Sequence, residues 1–173
     1  MSFLSNIKSD FQVNKNFISR LAILIIRTER LPYISWLITP FRVILLNLMM
    51  NCEIPKTVKI GRYFRLPHPF GIIIHSTAEI GNYVTIYQHV TIGSNEFISL
   101  GCSRKASSIG DFTLIGANSC LIGKIDIGSN VIIAATELVS IDITSNSFYK
   151  NGIYKNNIDL ANYNYNRKSI LNK

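Results

Sequence analysis

The sequence predicts a mainly β fold: a solenoid of short parallel strands preceded by a short α-helical N-terminal segment. Three observations carry the prediction. Aliphatic residues recur with a period of six through the middle of the chain, glycine often follows them, and residues 1–52 lack this period. An amphipathic helix would set apolar residues three and four apart, and a half-buried strand would alternate them. A period of six fits neither.

The repeat can be followed residue by residue. Ile54, Ile60 and Leu66 open it, and after a slip of two residues it resumes at Ile74, Ile80, Ile86 and Ile92. A loop intervenes before Ile109, Ile115, Leu121, Ile127, Ile133 and Val139. All thirteen positions are aliphatic, and glycine follows at Gly61, Gly81, Gly93, Gly110, Gly116 and Gly128. Four places after the aliphatic residue comes a second, often small one, such as Ala78, Val84, Thr113 or Ser119. A coil of three flat strands explains this, since each face needs one large and one smaller inward residue. Glycine near a corner lets the backbone turn and pack closely. Stacked coils then share one continuous core.

Residues 1–52 form the helical segment, 53–144 the β-helix with an inserted loop 94–108, and 145–173 an exit segment and irregular tail. Helices are expected near 17–30 and 41–50. Arg20, Arg27, Glu29, Arg30, Arg42, Pro32 and Pro40 interrupt the apolar sequence there, so no uncharged window reaches the roughly 18 residues of a spanning helix. These helices are expected to pack on the main domain or at a subunit interface. The sharper alternative is peripheral contact, a basic and apolar helix lying against the inner face of a membrane.

The net charge of +8 is uneven: six basic and two acidic residues in 1–51, seven of each in 52–144, five and one in 145–173. The main body therefore lacks the basic face that nucleic-acid binding requires, while the flanks suit an anionic ligand or a membrane surface. Cys52, Cys102 and Cys120 are an odd set without paired spacing, which reads as reduced thiols in a cytoplasmic protein. Lys8, Asp10 and Lys15 break up the first residues, so no secretory signal is expected.

Three histidines could carry chemistry. His68 sits in Leu66-Pro67-His68-Pro69-Phe70-Gly71, where the phase slips by two. A break in a repeat bulges backbone outward, and such irregularities tend to be functional. His75 follows the inward Ile74 and reads as a surface or interface residue. With three hexads per coil, the strand at Ile86 stacks on that at Leu66, which puts Gln88 and His89 beside His68 in a supporting or substrate-contacting role.

At these residues the chain resembles the hexapeptide-repeat acyltransferases. The stretch from Glu53-Ile54-Pro55 through Leu66-Pro67-His68-Pro69-Phe70-Gly71 to Ile74 is similar to their serine acetyltransferase branch, and Asp142-Ile143-Thr144-Ser145-Asn146-Ser147 resembles the family's exit motif. The resemblance implies a left-handed parallel β-helix, a homotrimer, acetyl-CoA as co-substrate and no metal. It implies His68 as general base, with Glu53, fifteen residues earlier, as its carboxylate partner. That pair is chemically sufficient. The attacking hydroxyl must lose its proton, a neutral imidazole can take it, and a carboxylate on the other ring nitrogen steadies the imidazolium. The resemblance further implies cofactor contacts at Gly116, Ala117, Ala134 and Ala135, along a groove between subunits, with Lys155 near the exit. Ile133-Ala134-Ala135-Thr136 departs from the family's usual I-G-A-G. Loop 94–108 falls where the family extrudes an arm over the active site, which makes Arg104 and Lys105, with His89, candidate substrate-binding residues.

The departures bear on the acceptor. Serine acetyltransferases carry Asp immediately before the catalytic histidine and an Arg-His pair at the end of the arm; the matching residues here are Pro67, Lys105 and Ala106. A zwitterionic amino acid would lose those partners, which is costly. A short amphipathic N-terminus ahead of the same core resembles the branch that O-acetylates sugars of bacterial capsules, exopolysaccharides and O-antigens. The expectation is therefore acetyl transfer from acetyl-CoA to a hydroxyl of a surface-polysaccharide sugar, with serine O-acetylation in cysteine biosynthesis as the alternative. A zinc carbonic anhydrase on such a fold would need two histidines five apart, and here the gaps are seven and fourteen. A binding β-helix with a decayed site is the non-enzymatic alternative.

Overall fold

The structure, a computed structural model, describes residues 3–94 and 106–156. Its body is a three-sided parallel β-helix. One face stacks β1 (Lys59–Ile60), β3 (Glu79–Ile80), β6 (Ser108–Ile109) and β9 (Asp126–Ile127). The second stacks β4 (Thr85–Ile86), β7 (Leu114–Ile115), β10 (Ile132–Ile133), β12 (Ser147–Lys150) and β13 (Ile153–Asn156). The third stacks β2 (Ile73–Ile74), β5 (Thr91–Gly93), β8 (Cys120–Ile122) and β11 (Leu138–Val139). Among the described residues every pairing between coils is parallel, and β13 folds back antiparallel on β12.

The register aligns the aliphatic repeat into columns. Ile80 lies over Ile109 and Ile127, Ile86 over Ile115 and Ile133, and Ile74 over Ile92 and Leu121. These side chains are buried, and each contributes about 1.5–3 kcal/mol by leaving water. The pattern outlasts the hexads read from sequence. Ile143 bridges to Ile127, and Tyr149 pairs with Ile133 in the second column. Tyr149 fits there because its hydroxyl donates to Leu138 O at 3.0 Å.

The corners correct one detail of the sequence reading. The glycines after the aliphatic residues do not make the turns. Tyr63, Tyr83, Phe112, Asn130 and Asn146 do so at one corner, and His89, Asn118 and Thr136 at the next, all with φ between 57° and 65° except Tyr63 at 56°. Glycine serves close approach: a Cβ on Gly61 would lie 2.5 Å from Gly81 O, and one on Gly116 2.5 Å from Ala135 N. Stacked rings offset part of the corner strain, with Tyr63–Tyr83 centroids at 4.1 Å and Tyr83–Phe112 at 4.7 Å.

The N-terminal segment closes the open end of the solenoid. It comprises α1 (Phe3–Val13), α2 (Phe17–Thr28) and α3 (Ser35–Phe41), the last continuing through Arg42–Met49 in wider π-helical turns just after Pro40. A first coil has no predecessor to pair its backbone, and unpaired buried amides are costly. Side chains of α1, α2 and the short link between them take that place. Phe64 N donates to Asp10 Oδ1 at 2.9 Å, Leu66 N to Asn14 Oδ1 at 2.9 Å, and Asn14 Nδ2 to Phe64 O at 2.8 Å. Arg27 donates to Ile60 O and Gly61 O and pairs with Asp10 at 2.7 Å. Burial pushes the Asp10 carboxyl above its ordinary range, against the opposing pull of Arg27. The sequence reading names no helix at 3–13, because α1 is anchored by buried polar groups rather than by an apolar stripe. Tyr33 in the turn before α3, and Trp36, Leu37, Phe41 and Leu48 on α3 and its continuation, remain exposed. Among the described residues, no helix is long and apolar enough to cross a membrane.

Candidate active site

His68 lies on the bulge between Leu66 and Ile72, and both flanks of that bulge are pinned. On the near side, Pro67 O accepts from Asn16 Nδ2 at 3.0 Å and from Ser19 Oγ at 3.2 Å. Ser19 Oγ also donates to Leu66 O. On the far side, Gly71 N donates to Met50 O and His89 N donates to Phe70 O, each at 2.8 Å. Gly71 has φ +65°, and the His89 ring occupies the space where a Cβ would stand. The bulge is thus fixed at its ends while the His68 side chain itself stays exposed.

A cavity of about 250 Å³ opens beside His68, lined by Lys15, Asn16, Ser19, Arg65 and Pro67 among others. Asn16 caps α2 by accepting from Ser19 N at 2.6 Å, so the cavity opens at the positive end of that helix. The helical cap therefore does two things: it satisfies the first coil and it builds one wall of the space in front of His68.

The other expected site residues fall as follows. Glu53 is exposed on the first coil, where it bridges Ile73. Among the described residues no hydrogen bond or ion pair joins it to His68. His89 sits against Gly71, in the coil after the one that carries His68, and does not line the cavity that His68 lines. Gly116, Ala117, Ala134 and Ala135 follow the same corner into the next coils, with Gly116 N donating to Ile133 O and Thr136 N to Ala117 O. Lys155 is exposed on β13, opposite Phe148. Arg104 and Lys105 lie outside the described residues. His75 is on the surface, its Nδ1 3.0 Å from Thr77 Oγ1.

No thiol is poised for attack among the described cysteines. Burial pushes Cys52 up to about 12 and Cys120 above its ordinary value, and a protonated thiol is a poor nucleophile. Among the described residues no three His, Cys, Asp or Glu side chains gather as a metal site. Lys15, Asn16, Ser19 and Arg65 were missed by sequence reasoning. The only signal was Asn16, a good helix cap ahead of an apolar run.

No protein-family model matches the chain. It is similar to curated serine acetyltransferases: 32% identical over 117 residues to one from Synechococcus elongatus, covering 68% of this chain and 45% of that protein. Another, from Staphylococcus epidermidis, is 40% identical over 87 residues, covering 50% and 39%. The chain spans less than half the length of these relatives. Among solved structures, soybean serine acetyltransferase in its apoenzyme form superposes with a TM-score of 0.72 at 26% identity, covering 89% of this chain and 69% of that one. Isoform 3 of Entamoeba histolytica serine acetyltransferase in complex with cysteine gives 0.68 at 24%, covering 94% and 63%. The fold is thus a left-handed parallel β-helix with a short helical N-terminal segment, the fold of the hexapeptide-repeat acyltransferases. Within that class, the relatives described above are serine acetyltransferases.

Proposed function

We propose that the chain is an acetyl-CoA-dependent O-acetyltransferase in which His68 is the general base. The observation that carries this reading is the pinned bulge at Pro67–Gly71, which presents one exposed imidazole to a cavity, in a chain similar to serine acetyltransferases. His68 takes the proton of the acceptor hydroxyl as that oxygen attacks the thioester carbonyl carbon. The carbonyl re-forms as the C–S bond breaks, and the proton passes to the departing CoA thiolate. Glu53 is the carboxylate proposed to orient the imidazole, and His89 positions the loop that carries it. Acetyl-CoA is proposed to run along the corner of Gly116, Ala117, Ala134 and Ala135, with Lys155 near its end.

Two acceptors have separate support. L-serine, the alternative of the sequence reading, is favoured over the sugar by the relatives and solved structures described above, which are serine acetyltransferases. A sugar hydroxyl is supported by Pro67 in place of the expected Asp, and by a cavity that no carboxylate lines among the described residues. An amino acid's ammonium finds no counter-charge there. The reading includes a homotrimer, supported by exposed apolar residues on the third face at Ile73 and Leu138. It keeps peripheral membrane contact as the role of the exposed Tyr33–Trp36–Phe41 surface.

The test is CoA release from acetyl-CoA with L-serine or with bacterial surface-polysaccharide sugars as acceptor. His68→Ala is expected to abolish release while leaving acetyl-CoA binding and oligomer size, by ultracentrifugation, unchanged. Near-normal turnover in that variant would remove the mechanism. Release with serine alone would settle the acceptor for serine.

A further inference from the structure

The cavity beside His68 carries two positive side chains that nothing among the described residues neutralises. Lys15 and Arg65 both line it, and among the described residues neither has an ion-pair or hydrogen-bond partner. Among the described residues no carboxylate lines it, and the nearby Asp10 is already engaged by Arg27 and Phe64 N. A third source of positive potential is the N-terminal end of the twelve-residue helix α2, whose cap Asn16 and first-turn Ser19 line the same space. All three are held by firm structure. The Arg65 backbone pairs with the next coil through Arg65 N to Val84 O at 2.9 Å and Ile86 N to Arg65 O at 3.0 Å. Lys15 lies between Asn14 and Asn16, both bonded to first-coil backbone.

Two cations around one cavity repel each other, and an anion between them reverses the sign of that interaction. A carboxylate would leave one of them uncompensated. A phosphoryl group, with about 1.5–2 negative charges at neutral pH and three acceptor oxygens, matches both the charge and the donors. We infer that this cavity is a phosphoryl-binding subsite, and that the hydroxyl presented to His68 belongs to a phosphorylated acceptor. The inference deepens the proposed acetyl transfer and rests on it for the role of His68. The binding itself does not depend on that role.

Inorganic phosphate is the first probe, titrated into the full chain while the histidine ring signals are followed by NMR, with acetate as the carboxylate control. The His68 signals are expected to shift saturably while those of His75 stay still. Lys15→Gln and Arg65→Gln should each weaken the midpoint by about tenfold or more, as loss of a charge-assisted contact does. Lys15 is exposed, so its variant keeps the test decisive if Arg65→Gln does not fold. The absence of a saturable His68 shift, equal midpoints in wild type and variants, or acetate binding as tightly as phosphate would each overturn the inference. A second arm measures CoA release with glucose 1-phosphate, UDP-glucose and L-serine, separating a sugar phosphate from a nucleotide-linked sugar. Phosphate binding without release from any acceptor would sustain the subsite and remove acetyl transfer. Release that ignores both substitutions would do the reverse.

Discussion

Replacing Gly71 by alanine probes how the His68 bulge is held. A Cβ at Gly71 would stand 2.1 Å from His89 Nδ1 and 3.1 Å from its Cγ, on a backbone with φ +65°. The left-handed conformation costs alanine about 1–2 kcal/mol, of which about 0.4–1 is returned by a stiffer unfolded chain. The imidazole must also leave its rotamer, at about 0.5–1.5 kcal/mol. The net loss is about 2 kcal/mol. Removing the ring removes only the steric part, so Gly71→Ala combined with His89→Ala should cost about 1 kcal/mol less than the two single changes summed. Urea unfolding of the four proteins at one fixed concentration, followed by circular dichroism, measures this. Additivity within about 0.5 kcal/mol would refute the packing of His89 on Gly71. If the bulge is what places His68, Gly71→Ala should also lower turnover while leaving acetyl-CoA affinity unchanged.

Three further outcomes are expected. Arg27→Ala should destabilise by about 3–5 kcal/mol, because Asp10 is then buried without its partner. The loss should shrink as pH falls, because protonation of the Asp10 carboxyl, already pushed up by burial, removes the unpaired charge, and a urea series across pH checks it. The Cys52 thiol, at about 12 in the fold against 9.0 ordinarily, contributes stability present below pH 9 that fades as pH climbs toward 12. The difference between wild type and Cys52→Ala across that range should shrink accordingly, and Cys52 should alkylate only on unfolding. Glu53→Gln should lower turnover by about 10²-fold or less, since orientation rather than proton transfer is affected; unchanged turnover would leave Glu53 a surface residue.

The acceptor question turns on the cap as much as on the coils. Asn16 and Ser19 pin Pro67 O while Lys15 lines the cavity in front of His68. The helical segment that closes the solenoid is therefore also part of the site. A change in α1 or α2 that leaves the β-helix intact can move the His68 bulge.

The six-residue period by itself determined the coil, the three faces and which side chain points inward at each strand, because a flat strand admits one inward aliphatic per hexad and its neighbours must stack on it. The slip at Leu66–Gly71 likewise marked the bulge and its histidine. Other features were decided only in three dimensions. Hexad counting cannot show that glycines are required by backbone approach, as at Gly61 against Gly81, while Tyr83 or Asn118 makes the turn. Nor can periodicity find α1, since Asp10 on it and Asn14 just after it are polar anchors that gain their value from amides 50 or more residues away. The cavity shared by Lys15, Arg65 and His68 has the same origin. Its walls come from a helix junction and a first-coil edge that meet because an uncapped solenoid end would leave buried amides unpaired, and that requirement has no local signature in the chain.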